Sequence, residues 1–191
     1  MKKLQKNRFA VHHIVSHHVN LVIINEYYNR MVIHVRDPRQ ATLSYIHNLI
    51  RNQKEKPILN KMEILPDEYI KWDFASQVDY QIDHRIPFLI SWIEGWLDAD
   101  EDPDFQTKIL FTTFEHFKKD KREFINKILD FYQINRDSFN YELIETTPSR
   151  GQHLYRQGKK NEWRQVFNAD QIKRASELIP EKLYIRFNWD K

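Results

Sequence analysis

The hydrophobic and polar positions in the first third of the chain predict alternating strands and helices. Residues 9–16 are rich in Val, Ile and His and predict a first strand, and residues 31–36 predict a second. Between these strands the sequence predicts a short helix from about Asn20 to Tyr28. A longer helix is expected to begin at Pro38 and to end before Pro57, with one apolar stripe made by Ala41, Tyr45, Leu49 and Ile50.

The rest of the chain continues this alternation. Apolar side chains at helical spacing predict a helix from Tyr80 to Asp98, and a strand is expected from Lys108 to Thr113. A capping-box pattern at Asp120 precedes a further helix, and a last short helix is expected between Asn168 and Pro180. Prolines and mixed charge predict a loop between Lys56 and Asp67. This order predicts an α/β fold, with a parallel β-sheet flanked by helices.

The junction between the second strand and the long helix has the composition of an anion site. The strand ends at Arg36, Asp37 supplies an N-cap side chain, and Pro38 suits the first helical position because a donor is not needed there. Free amides and the helix dipole would then face Arg36, whose guanidinium and the Ser44 hydroxyl suit a phosphate. The alternative is an ordinary strand-to-helix turn, in which Arg36 pairs with a surface carboxylate.

Length and composition limit the classes of protein that fit this chain. One domain over residues 1–191 is expected, and 41% hydrophobic with 30% charged residues is typical of a globular protein. The three glycines are too few for a Walker A loop or a dinucleotide fingerprint. A net charge of +3 argues against the alternative of a basic nucleic-acid-binding module.

Cysteine content and hydropathy indicate the compartment. The chain has no cysteine, which excludes a disulfide framework and a thiolate metal site. The apolar run from Leu21 to Ile24 is too short for a signal peptide core or a membrane span. We therefore expect a soluble cytoplasmic protein, with neither a membrane nor nucleic acid among its partners.

Three collinear segments resemble one enzyme family. Residues 36–44, Arg-Asp-Pro-Arg-Gln-Ala-Thr-Leu-Ser, look like the 3′-phosphate-binding segment of the PAPS-dependent sulfotransferases. These enzymes move a sulfuryl group from 3′-phosphoadenosine 5′-phosphosulfate (PAPS) to a hydroxyl or an amine. Residues 107–120 are similar to the family's strand and "YED" segment, and residues 156–164 resemble its late "RKGxxGxW" loop. Three motifs in the family's order are much harder to obtain by chance than one.

The resemblance implies a fold, a co-substrate and a binding site. The fold would be the P-loop-NTPase-like sulfotransferase fold, with PAPS as the sulfate donor and 3′-phosphoadenosine 5′-phosphate (PAP) as the product. Phe114 stands in place of the "YED" tyrosine near the adenine, with core packing as the alternative. The resemblance places the following residues around the 3′-phosphate: Arg36, Ser44, Arg156, Gln157 and Gly158.

Some positions depart from the family pattern or leave two interpretations open. Asn161 stands where the family usually has glycine, which puts the local backbone turn in question, and Gln157 stands where it often has lysine. Trp163 either holds the loop in place or touches the nucleotide. Trp92 and Trp96 lie on a helix that borders the acceptor pocket in this family, although tryptophans at helical spacing are more often core residues.

Histidine suits the base that sulfuryl transfer needs, because its pKa lies near the working pH. The resemblance puts the base in a "TH"-like step about twenty residues before the 3′-phosphate arginine, where His17 fits best and His18 follows. Metal ligation is the alternative. On a strand, His13 and His17 would lie roughly 13 Å apart, too far for one ion. On a helix, Ile14 stands where a zincin has its glutamate. We therefore expect no metal site.

The family's first motif is missing from these 191 residues. Family members begin with a "PKSGTTW"-like loop that grips the 5′-phosphosulfate, and no such segment occurs here. The resemblance then covers roughly the C-terminal two thirds of a normal enzyme, as expected for a truncated gene product or for a fold kept for another purpose. We expect a sulfotransferase whose transfer is impaired, with a nucleotide donor and an acceptor that the sequence does not name. The alternative is a non-catalytic relative that binds PAP or another phosphorylated ligand.

Overall fold

The computed structural model describes residues 14–55, 65–145 and 161–191. Two strands, β1 (Arg30–Val35) and β2 (Lys108–Thr113), lie among the helices. The helices are α1 (His18–Tyr27), α2 (Pro38–Glu55), α3 (Phe74–Glu101), α4 (Phe114–Lys119), α5 (Lys121–Phe131), α6 (Glu142–Glu145), α7 (Trp163–Val166), α8 (Ala169–Glu177) and α9 (Glu181–Phe187). Short 3₁₀ turns occur at Tyr69–Lys71 and Arg136–Ser138.

The two strands pair in parallel, with Arg30 opposite Lys108 and Val35 opposite Thr113. A parallel pair needs a long crossover connection, and the chain between the strands contains α2 and α3. Because both strands run the same way, their carboxyl ends meet at one edge. The α/β class, the parallel pairing and the strand from Lys108 to Thr113 are therefore confirmed.

The core lies between the inner face of the strand pair, the two long helices and the C-terminal helices. α3 contributes one apolar stripe along its 28 residues, and burial of each such side chain contributes about 1.5–3 kcal/mol. The most completely buried apolar side chains of this core include Leu43, Ile46, Ile82, Ile86, Trp96, Trp163 and Leu183. Within the described ranges, no helix has both the length and the hydropathy to cross a bilayer.

The first predicted strand is wrong in the part that the structure describes. Residues 14–16 adopt no regular structure, and α1 begins at His18, close to the predicted helix start. The Val and Ile content favours a strand. The Ile14 carbonyl is instead bound by side chains of α3, so it makes no ladder to a neighbouring strand. The rest of the predicted strand, including His12 and His13, lies outside the described residues.

The C-terminal region contains two more helices than the sequence predicts, the four-residue α7 before Asn168 and α9 after Pro180. Asn168 caps α8 through a reciprocal capping box with Gln171, which confirms the predicted helix start. α8 ends at Glu177, before Pro180 as predicted, but α9 begins directly after Pro180 at Glu181. Proline at the edge of a helix is compatible with a new start as well as with a stop, and a helix of seven residues gives a weak periodic signal. α9 and the residues after it pack beside the start of α2.

Candidate functional site

Arg36 and Phe114 lie together at the carboxyl edge of the strand pair. Each is the first residue after its strand, so the parallel register brings them side by side. The guanidinium carbon of Arg36 lies 4.0 Å from the centroid of the Phe114 ring. This cation–π contact holds the half-buried guanidinium at the edge. The contact also gives Phe114 a role within the chain, which is to position Arg36.

The start of α2 is capped by its own carboxylate. Asp37 is almost completely buried, and its Oδ1 accepts the Arg39 N–H at 2.9 Å, as predicted for an N-cap. The Asp37 N–H donates to Oε1 of Glu115 at 3.3 Å. The sequence predicts free amides that face a ligand at this helix start. The N–H groups of Asp37 and Arg39 are instead bound by carboxylates of the chain itself. The Asp37 carboxylate already takes the place that the helix dipole offers to an anion.

Glu115 joins the two strand ends to the C-terminal segment. Its Oε1 accepts from Asp37 and its Oε2 accepts the Trp189 indole N–H at 3.3 Å. Burial raises the pKa of Glu115 above its usual range, and the nearby Asp37 charge adds to the rise. The N–H groups that donate to the carboxylate oppose this rise. Glu115 is the middle residue of the "YED"-like segment, and its contacts place that segment against Asp37.

Arg39 is a buried cation that organises the residues around α2. Its guanidinium binds the Asp37 carboxylate through Nη2 at 2.7 Å and Nε at 3.0 Å. Nη1 donates to the Ser176 hydroxyl at 3.0 Å, and Nη2 also donates to the Asp190 carbonyl. The Trp163 ring lies 4.0 Å from the guanidinium carbon. The start of α2 is therefore fixed to α7, to α8 and to the C-terminal residues.

The third segment meets α2 next to Arg39. The Glu162 N–H donates to Oε1 of Gln40 at 2.7 Å, and both residues are buried. Trp163 is fully buried beneath Arg39, so it packs in the core. Asn161 has a φ of 53°, in the left-handed region that asparagine tolerates. The chain thus makes a left-handed turn at Asn161 without a glycine.

The predicted phosphate-binding residues differ in how much the structure says about them. Ser44 lies on α2, six residues after Pro38 and so about 9 Å farther along the axis, and it is half-buried. Arg156, Gln157 and Gly158 lie outside the described residues. The three motif segments nevertheless converge through their described parts, because residues of the second and third segments contact Arg36, Asp37, Arg39 and Gln40.

His17 and His18 lie at the start of α1, and both are exposed. His17 is the N-cap, and its Nδ1 accepts the Val19 N–H at 3.4 Å. The segment before them is held by α3. The indole N–H groups of Trp92 and Trp96 donate to the Ile14 carbonyl, at 2.7 Å and 3.3 Å.

The comparison with known families decides the identity of the chain. A family model described as a sulfotransferase domain matches residues 1–186. The chain belongs to the sulfotransferase family. A search of curated proteins finds no match.

A solved structure shares the fold of this sulfotransferase-family chain. The crystal structure of mouse sulfotransferase SULT7A1 complexed with PAP matches with a TM-score of 0.55 at 16% sequence identity. The match covers 82% of this chain and 59% of that chain, so this chain spans less than two thirds of the length of its structural match. The fold is thus confirmed as the P-loop-NTPase-like sulfotransferase fold.

Two buried residues at the start of α2, Arg39 and Gln40, have no individual signal in the sequence. Arg39 does not stand out because a charged residue in the first turn of a helix is normally solvated. Gln40, whose side chain accepts the Glu162 N–H, has no distinguishing pattern in the sequence either. The one usable signal was the family motif itself, since both residues lie within residues 36–44.

Gly95 allows the segment before His17 to approach α3. A Cβ added at Gly95 would lie 2.1 Å from the Ser16 hydroxyl oxygen and 3.4 Å from the Ser16 Cβ. We expect Gly95→Ala to displace Ser16, and Gly95→Ala with Ser16→Ala to remove the conflict. The double variant should be at least as stable as the wild type, because alanine is favoured over glycine in a helix by about 1 kcal/mol.

Urea unfolding of the two single variants and the double variant measures this coupling, which is about 0.5–3 kcal/mol for residues in contact. Hydrogen exchange in residues 14–17 should rise in Gly95→Ala and return to the wild-type level in the double variant. Equal stability of Gly95→Ala and the double variant would contradict the close approach.

Proposed function

We propose that this sulfotransferase-family chain binds the 3′-phosphate of PAPS and PAP at the junction of β1 and α2. The observation that carries the proposal is the convergence of three motif segments, distant in sequence, on residues 36–40. Arg36 offers the phosphate a bidentate fork, and Ser44 adds a hydroxyl. Because Asp37 already caps the helix, side chains rather than helix amides supply the main donors.

The third segment supports the proposal by its place in the chain. Two residues separate Gly158 from Asn161, where the described part begins, and the next residue, Glu162, is anchored on Gln40. We assign Arg156, Gln157 and Gly158 to the same phosphate. Phe114 contributes by holding the Arg36 guanidinium, and contact with the adenine is a second role for its ring.

We further propose sulfuryl transfer to a hydroxyl or an amine, with a histidine at the start of α1 as the base. While His17 caps α1, its Nδ1 accepts an N–H, so the neutral ring carries its proton on Nε2 and does not accept another there. His18 is exposed in the first helical position and is not the capping residue. Of the two candidates, His18 is therefore better placed to act without uncapping the helix.

Calorimetry with PAP and with adenosine 5′-monophosphate tests the binding proposal. The two nucleotides differ only in the 3′-phosphate. We expect PAP to bind at least tenfold more tightly, since a hydrogen bond to a charged group contributes about 1.5–3 kcal/mol. Equal affinity for the two nucleotides, or no binding of PAP, would show that the 3′-phosphate site is wrongly placed.

A turnover assay tests the transfer step in the same 191-residue chain. Labelled sulfate on PAPS would be offered with a phenol, an aliphatic alcohol and an amine as acceptors. Loss of one well-placed donor to a developing charge lowers the catalytic rate about 10²-fold. The 191 residues contain no "PKSGTTW"-like segment to supply such donors to the 5′-phosphosulfate. We expect turnover below about 0.1 per second, against about 10 per second for a typical enzyme. Transfer at ordinary rates would contradict impairment, whereas PAP binding with no product at all would favour the non-catalytic alternative.

A further inference from the structure

His34 and Thr112 form a cross-strand pair beside the proposed phosphate site. His34 lies two residues before Arg36 in β1, and Thr112 lies opposite it in β2. Alternate residues of a strand share a face and lie about 6.6 Å apart along it. Arg36 and Phe114 follow directly after the ends of the two strands, and the Arg36 charge is close enough to act on the His34 ring. His34 is exposed, so solvent protons reach its ring.

The Thr112 hydroxyl suits both protonation states of the His34 ring. Its Oγ1 lies 3.0 Å from Nδ1 of His34 and 3.5 Å from the Ile33 carbonyl oxygen. With the ring neutral, the hydroxyl donates to Nδ1. With the ring protonated, Nδ1 donates to Oγ1 and the hydroxyl turns to the Ile33 carbonyl. Protonation of His34 thus costs no hydrogen bond at Nδ1, and Nε2 becomes a charged donor.

The groups that face His34 disfavour its charged form when no anion is bound. Partial removal of the His34 ring from water by the surrounding protein lowers its pKa, and the Arg36 charge lowers it further by a smaller amount. The Phe124 ring of α5 packs edge-on against His34. His116 of α4, which pairs with Glu123, packs against the Phe124 ring as well. The strands also carry Arg30 and Lys108 at their far end, and Glu115 of α4 binds Asp37 and Trp189. The other charged residues of the two helices are Lys118 and Lys119 in α4, and Lys121, Arg122, Lys127 and Asp130 in α5.

We propose that His34 takes up a proton when a phosphate binds at Arg36, so that nucleotide binding is coupled to pH. This inference rests on the proposed 3′-phosphate site. A phosphate dianion offsets the Arg36 charge and adds negative charge next to the ring, which favours the imidazolium. By reciprocity, protonated His34 binds the phosphate more tightly. Solvent screens an exposed ring, so we expect about fivefold, at the lower end of typical couplings.

Calorimetric titration of PAP in buffers of different ionisation enthalpy measures the protons taken up on binding. The wild type is compared with His34→Asn, which cannot titrate, and with His84→Asn, an exposed histidine of α3, as the matched control. We expect the wild type and His84→Asn to take up more protons than His34→Asn. The difference removes the contribution of the nucleotide's own phosphate. The full fivefold difference is expressed only below the lowered pKa of unbound His34. From pH 6 to pH 8, wild-type affinity should therefore fall more than that of His34→Asn, by a factor of up to about five.

A second pair of variants tests the hydroxyl. Thr112→Val removes the group that bonds to Nδ1 and should reduce proton uptake, whereas Thr112→Ser should retain it. Equal proton uptake in the wild type and His34→Asn, with PAP bound to both, would overturn the coupling while leaving the phosphate site intact. Absence of PAP binding to the wild type would overturn the phosphate site, and the coupling with it.

Discussion

Arg39→Met should lower the free energy of unfolding by about 3–5 kcal/mol, the usual cost of removing one partner from a buried ion pair. The Arg39 side chain is 0% exposed and that of Asp37 is 3% exposed. Methionine fills much of the volume but leaves the Asp37 carboxylate without its guanidinium. It also removes the donors to Ser176 and to the Asp190 carbonyl. Equilibrium unfolding in urea measures the loss.

Two control variants separate the buried charge from other effects. Arg39→Met combined with Asp37→Asn removes the uncompensated charge while asparagine retains an N-cap side chain, so most of the lost stability should return. Arg136→Ala breaks the exposed pair of Arg136 with Asp130 and should leave the unfolding midpoint unchanged. If Arg39→Met were no less stable than Arg136→Ala, the buried pair would not be what holds α2 in place.

Arg36→Ala should weaken PAP binding about 10- to 100-fold, because a hydrogen bond to a charged group contributes about 1.5–3 kcal/mol. The same variant should bind adenosine 5′-monophosphate like the wild type, since that nucleotide has no 3′-phosphate. Calorimetry with both nucleotides therefore assigns the lost interaction to one group of the ligand. The fold should persist, because Arg36 is only half-buried.

Three further variants test whether the guanidinium of Arg36 itself accounts for the loss of PAP affinity. Arg36→Lys keeps the charge but loses the planar fork and the stacking on Phe114, so its PAP affinity should lie between those of alanine and arginine. Ser44→Ala should weaken PAP binding by a smaller factor, and Arg136→Ala should not change it. If Arg36→Ala weakened both nucleotides equally, Arg36 would not be the 3′-phosphate residue.

Local patterns predicted the elements that carry the proposed site. The strand before Arg36, the proline start of α2 and the strand before Phe114 each have a signal that lies within a few residues. Asp37 was recognisable as an N-cap for the same reason, since capping joins a side chain to an amide two residues away. The errors fell where local preference and tertiary contacts disagree, as in residues 14–16, whose strand propensity is overridden by the Trp92 and Trp96 indoles.

From its amino-acid order alone, the chain reveals its family, its parallel α/β class and the junction at Arg36, because these depend on short motifs and on periodicity. The burial of Arg39, the bridging role of Glu115 and the proton-accommodating contact of His34 with Thr112 emerge only on folding. Each joins residues more than 70 positions apart, such as Glu115 with Trp189 and His34 with Thr112. No local pattern encodes such a partner, because side chains distant in sequence meet only when the strands and helices pack.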